Sequence, residues 1–130
     1  MRKLGLALLA VCVLAGAAFG AYPEKNIQGY IMWGAGGVMD NVSRAIVPIA
    51  QEHLGKTIIL QNRTGATGAI ATTFVANQPA DGYSILFGAE NPNLYKVTGL
   101  SQIDYDQFEP VFLMMVNMGV LTGSKHSPYT

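Results

Sequence analysis

The sequence predicts an α/β fold built on a parallel sheet, and two observations carry that expectation. Between residues 27 and 88, short apolar runs alternate with amphipathic stretches in the order strand, helix, strand, helix, strand. Two of those runs lead directly into Gly/Ala-rich loops that open helices, the arrangement of a βαβ unit with right-handed crossovers.

The elements follow from residue 1. Arg2 and Lys3 precede an uncharged Leu/Ala/Val-rich stretch, Leu4 to Ala21, that ends in small residues. A basic start, an apolar centre and Ala18-Phe19-Gly20 at the end predict a secretory signal over residues 1–20, cleaved after Gly20. An uncleaved spanning helix is the competing reading, but no basic stop-transfer cluster follows. Cys12 is the single cysteine. Without residues 1–20 the chain keeps none, so disulfides, thiolate metal sites and a cysteine nucleophile are excluded. Six basic groups against eight acidic ones then leave a net charge of −2 with no Lys/Arg cluster, which argues against nucleic acid as a partner.

Ile27 to Trp33 reads as the first strand. Asp40 is expected to cap a helix that runs to Leu54, with Val42, Ala45, Ile46, Ile49 and Ala50 at helical spacing and Gly55 as its stop. Pro48 lies inside it and predicts a bend. Thr57 to Gln61 is the second strand and Ala69 to Gln78 the second helix, with Ile70 and Phe74 on one face. Tyr83 to Gly88 is the third strand, after the turn signal Asp81-Gly82. Residues 90–110 read as a polar, turn-rich connection in which Asp104 and Asp106 are solvated. Val111 to Val116 and Met118 to Thr122 are strand-like, and the Met-rich run suits a core or hinge strand better than a recognition surface.

The functional signal lies in the loops. In an open parallel sheet, ligands bind beyond the carboxyl ends of the strands. Here Gly34-Ala35-Gly36-Gly37 and Gly65-Ala66-Thr67-Gly68 stand at two such ends and open helices. Glycine lets backbone N–H groups approach a ligand, and a helix N-terminus carries partial positive charge, so an anion can be held without a basic side chain. Glycine equally serves plain tight turns, and composition alone does not choose. A dinucleotide site fits poorly, because Met39 occupies the last glycine position of G-x-G-x-x-G and no acid stands near Leu60 and Gln61 to hold a ribose. No catalytic motif, metal-ligand spacing or cofactor signature is present, and His53 and His126 read as surface residues.

Four segments in register carry a resemblance. They are Tyr22-Pro23-Glu24-Lys25, Gly36-Gly37-Val38-Met39-Asp40, Gln61 to Gly68 and Ala80-Asp81-Gly82-Tyr83-Ser84-Ile85-Leu86. In order and spacing the chain resembles the periplasmic substrate-binding component of tripartite tricarboxylate transporters, the Bug family. The resemblance implies a two-lobed periplasmic-binding-protein fold of type II character that closes on a small organic acid and delivers it to membrane transporter subunits, with no catalysis and no cofactor. It also implies ligand contacts from three loops: Trp33, Gly34, Ala35, Gly36, Gly37 and Asp40; Gly65, Ala66, Thr67 and Gly68; and Ala89, Glu90 and Asn91.

Three departures bear on the ligand. Met32-Trp33-Gly34-Ala35 and Met39 replace a proline-bearing loop with Thr before the Asp, Thr64 and Thr67 interrupt a Pro-Gly-Ala-Gly-Gly loop, and Glu90 stands where small polar residues are usual. Family members are more than twice as long. The expectation is therefore a partial N-terminal lobe over residues 21–110, with 111–130 crossing toward a second lobe. The other reading is a small exported structural or interaction protein that uses residues 111–122 as a partner surface.

Overall fold

In the computed structural model, which describes residues 22–119, Ile27–Ile31 forms β1 at the centre of a three-stranded sheet. There follow α1 (Val38–Leu54), β2 (Ile58–Asn62), a 3-10 turn (Ala66–Gly68) continuous with α2 (Ala69–Ala76), β3 (Ser84–Phe87), α3 (Pro92–Thr98) and a second 3-10 turn (Tyr105–Gln107). The strand order is β2-β1-β3 and both pairings are parallel, as the alternation of elements predicts. The expected signal segment 1–20 lies outside the described residues.

Alternation along β1 gives the sheet two faces. Ile27 and Ile31 look one way and join Ile58, Phe87, Met39 and Val47 in one core, so α1 covers that face. Tyr30 looks the other way, and its ring meets Phe74 of α2 edge-on at 4.9 Å. Met32, Ala69, Ala71 and Tyr95 make the second core, so α2 and α3 cover the second face. Burying one such isoleucine stabilises the fold by about 1.5–3 kcal/mol, and Ile31 is fully buried.

The helices differ in detail from the expectation. Gly37, not Asp40, is the N-cap of α1, and the buried line is Met39, Asp40, Ser43 and Val47. Ile49 is 58% exposed. Ser43 tolerates burial because its hydroxyl donates to Met39 O at 2.7 Å. The helix continues through Pro48, which leaves the Arg44 carbonyl without its helical donor, and Gly55 closes it at φ 64. In α2 the buried residues are Ala69, Ala71, Thr72 and Val75, while Ile70 is 51% exposed. The most buried residues of α2 are mostly small, and of the two bulky residues expected on one face only Phe74 meets the sheet.

Residues 90–110 are not all connection. Pro92 opens α3 at its first turn and Gly99 ends it at φ 69. Tyr95 is fully buried, whereas Leu94 and Val97 are exposed. One aromatic anchor holds this helix, not an apolar stripe, so it left no periodic signal. Asp104 is not simply solvated: it pairs with Lys96 Nζ at 2.8 Å and accepts the Tyr105 N–H at 2.8 Å. Residues 111–119 form no strand, and the rest of the expected run Met118 to Thr122 lies outside the described residues. Among the described residues the sheet offers them no ladder; Met114 and Met115 pack on the α1-side core, and Val111, Leu113, Val116 and Met118 stay exposed.

Gly29 sits where both cross-strand neighbours press inward. A Cβ there would lie 2.7 Å from Leu60 Cδ2 and 2.8 Å from Phe87 Cε2. Gly29→Ala is expected to destabilise the fold by about 1–3 kcal/mol. Urea unfolding should show a lower midpoint with an unchanged slope; an unchanged midpoint would mean the sheet is not packed as described.

Candidate functional site

Parallel pairing puts the carboxyl ends of all three strands on one edge. The ladder runs one residue past β1 and β2: Met32 N–H donates to Phe87 O at 3.2 Å and Arg63 N–H to Ile31 O at 2.8 Å. Three loops leave from that edge, residues 32–37, 63–68 and 88–91, and the sequence-predicted site residues are all on or next to them.

In the first loop Trp33 is half-buried, and Gly34, Ala35, Gly36 and Gly37 are exposed. Gly36 takes φ 78, and Gly37 N–H donates to Gly34 O at 3.2 Å. Gly37 caps α1 with no side-chain hydrogen bond, so the first-turn N–H groups of a 17-residue helix face the loop without a capping side chain. Asp40 is third in the helix, where the acid of a capping box reaches back. Its Oδ2 accepts the Gly36 N–H at 2.9 Å, and its Oδ1 accepts Arg44 Nε and Asn62 Nδ2, each at 2.9 Å. Arg44 foremost, then the Gly36 N–H and Asn62, hold this carboxyl well below the usual carboxylate range, and Asp40 raises Arg44 in return. Asn62 also donates to Trp33 O at 3.0 Å and accepts Arg44 Nη2 at 3.0 Å.

The second loop is a run of left-handed backbone: Gly65, Ala66, Thr67 and Gly68 take φ 124, 46, 54 and 87. Gly65, Ala66 and Thr67 are exposed and Gly68 is buried. Two non-glycine residues in this region cost about 1–2 kcal/mol each, so neighbours must hold them there. Tyr95 Oη donates to Thr67 O at 3.0 Å, Thr72 Oγ1 to Gly68 O at 3.0 Å, and Gly68 N–H to Gly65 O at 2.9 Å. Gly68 is favoured by its φ of 87 and by crowding, since a Cβ there would lie 1.9 Å from Met32 Cε and 3.0 Å from Tyr95 Oη.

Met32 joins the third loop as well, because its Sδ accepts the Ala89 N–H at 3.0 Å. Ala89 and Asn91 are half-buried and Glu90 is exposed. Tyr105 Oη donates to Ala89 O. Burial first, and the charge of Glu90 second, push the Tyr105 phenol above its ordinary value.

Residues 32–37, 64–68 and 88–91 contain no basic side chain, but Arg63 opens the second loop and Arg44 lies in α1. Arg44 faces the first loop from within α1. Arg63 stacks its guanidinium 3.6 Å from the Phe74 ring centroid, and among the described residues its buried Nε has no partner. A concavity of about 470 Å³ beside Arg63, lined also by Ile70, Phe74 and Leu100, lies along α2 and not between the three loops. No group of three or more His, Cys, Asp or Glu among the described residues could hold a metal ion. Sequence reasoning missed Met32, Asn62 and Tyr95. Only Asn62, a polar residue ending an apolar strand immediately before a Gly-rich loop, offered a signal.

The left-handed loop gives a stability test. Thr67→Gly removes about 1–2 kcal/mol of strain and adds about 0.5–1 kcal/mol of unfolded-chain entropy. Chemical denaturation should therefore show a net gain of about 0.5–1 kcal/mol; a loss would contradict the positive φ at Thr67.

Comparison with known proteins gives these loops a context. Residues 42–130 match the family described as tripartite tricarboxylate transporter family receptor. BugT of Bordetella pertussis is 32% identical over 101 residues, covering 78% of this chain and 30% of that protein. A UPF0065 protein of Bordetella bronchiseptica is 30% identical over 122 residues, covering 91% of this chain and 36% of that protein. Among solved structures, a TctC solute-binding protein from Polaromonas superposes with a TM-score of 0.62 at 30% identity, covering 65% of this chain and 30% of that one. The chain thus spans about a third of the length of the relatives it matches. On a family match that takes in more than half its residues, the chain belongs to the tripartite tricarboxylate transporter receptor family.

Proposed function

We propose that the chain supplies one lobe of a solute-binding receptor that captures a small carboxylate outside the cytoplasm and presents it to the membrane subunits of a tripartite tricarboxylate-type transporter. The observation that carries this reading is the exposed Gly34–Gly37 loop running into α1 with no side-chain cap. With the Gly36 and Gly37 N–H groups already bonded to Asp40 and Gly34 O, it leaves the first-turn N–H groups of α1 and the helix terminus to meet negative charge. Each such interaction contributes about 0.3–1 kcal/mol, more where partly buried, so several must act together.

In this reading the ligand lies against Trp33 to Gly37, Gly65 to Gly68 and Ala89 to Asn91. Asp40 stays with Arg44 and Asn62 and does not meet the ligand. Glu90 is exposed and, in this reading, turns its charge to solvent. The family membership supports a receptor over an interaction protein built on residues 111–122, and Met114 and Met115, central to that surface, are turned onto the core.

Loops from one lobe leave a ligand open to water on its other side, so binding by this chain alone is expected to be weak, with Kd about 1 mM, or about 4.1 kcal/mol. Calorimetric titration with a saturated dicarboxylate should show that affinity, and the diamide of the same length should bind at least about tenfold less well. Glu90→Gln should change the dicarboxylate affinity by no more than about threefold. Equal affinity for diacid and diamide contradicts anion recognition. A tenfold gain in Glu90→Gln places Glu90 against the ligand and favours a ligand that also carries an ammonium group.

A further inference from the structure

Asn62 ends β2, yet its side chain serves the loop that follows β1. The amide nitrogen donates to Trp33 O at 3.0 Å and to Asp40 Oδ1 at 2.9 Å, and the amide oxygen accepts Arg44 Nη2 at 3.0 Å. Asp40 in turn accepts the Gly36 N–H at 2.9 Å. The first loop is therefore gripped at two backbone points, the Trp33 carbonyl and the Gly36 N–H, by side chains from β2 and α1. Gly34, Gly36 and Gly37 give the segment wide conformational freedom unless something restrains it. A binding loop that must order itself as the ligand arrives loses affinity, and one fixed beforehand does not.

We propose that Asn62 is a positioning residue: with Asp40 and Arg44 it fixes the first loop in its ligand-ready shape before any ligand arrives. Three features separate this from ordinary strand-end satisfaction. The amide uses both its nitrogen and its oxygen within the one network. The partner carboxylate is almost fully buried, so releasing it would leave a charge with too few donors. The contact also crosses between strands, so the start of the second loop and the body of the first move as one piece. The proposal rests on the reading of the first loop as ligand-facing, but its test needs no ligand.

Trp33, the single tryptophan of the chain, sits in the held loop and reports its mobility directly. Acrylamide quenching of Trp33 emission is measured on the whole chain, with no ligand added, for wild type, Asn62→Leu and Arg44→Gln. Asn62→Leu keeps the branching at Cγ and the number of side-chain heavy atoms and removes all three bonds. It should raise the quenching constant about twofold or more while far-UV circular dichroism is unchanged. Arg44→Gln removes the guanidinium that orients the amide without touching the sheet, and should raise quenching by a smaller step. If Asn62→Leu fails to fold, Arg44→Gln carries the test. Unchanged quenching in a folded variant overturns the proposal. So does loss of the whole fold in both variants, which would assign the network to global stability and not to the loop. Raised quenching together with equal affinity for diacid and diamide would sink the carboxylate reading alone.

Discussion

β1 is paired on both sides, and every loop at the carboxyl edge takes its position from that double ladder. The ladder does not stop at Ile31. Met32 N–H still bonds to the end of β3, and Ile31 O accepts from Arg63 just past β2, so three chain segments leave the sheet already in register. Met32 then fills the space beneath them. Its methyl group occupies the volume that a side chain at position 68 would need, and its sulfur accepts the Ala89 N–H. An apolar residue thus sets the spacing of three polar loops, and the second core, with Tyr95 at its centre, holds it there. Packing in such a core is dense enough that a shift at one side chain is felt at all its neighbours.

The electrostatics of the edge follow a single logic. A buried carboxylate beside loops that are to receive an anion looks unfavourable, but Asp40 is matched by Arg44 and satisfied by the Gly36 N–H and Asn62. The pair is close to neutral at a distance, so it orders the loop without repelling what approaches it. The depressed titration of Asp40 keeps that arrangement intact on acidification: its contribution is present above the ordinary carboxylate pKa of about 4 and is lost only as pH falls through its lower native value. The positive potential is then left to backbone N–H groups and helix ends, which cannot be titrated away.

Much of this was legible in the sequence because it depends on local chemistry. Short strand-like runs that lead into Gly-rich loops specify β1 and β2, Gly55 specifies the end of α1, and Asp81-Gly82 the turn before β3. What escaped the reading depends on single long-range contacts. Tyr95 makes a helix out of a polar segment by burying one ring against Gly68 and Met32, and no periodicity records that. The α1 face was misjudged because Asp40 and Ser43, both polar, are buried in place of Ile49: Ser43 is satisfied within its own helix by Met39 O, and Asp40 by Arg44 of the same helix and by Asn62 across the fold. Residues 111–119 carry strand-like composition, but a strand needs a partner, and the described sheet offers none. Two of the three loops were expected at the carboxyl edge from the alternation of elements, and the third only from the family resemblance; the left-handed run at Ala66 and Thr67 was not expected, since neither residue type favours it.

The central claim is that backbone N–H groups of these loops meet the ligand. It is tested most directly by amide nitrogen–proton spectra of the labelled chain during titration with a dicarboxylate. The account predicts that the shifts concentrate at Gly34 to Met39, Gly65 to Gly68 and Ala89 to Asn91, with little change elsewhere. Shifts centred instead on Arg63, Ile70, Phe74 and Leu100, along the α2 concavity, would contradict it.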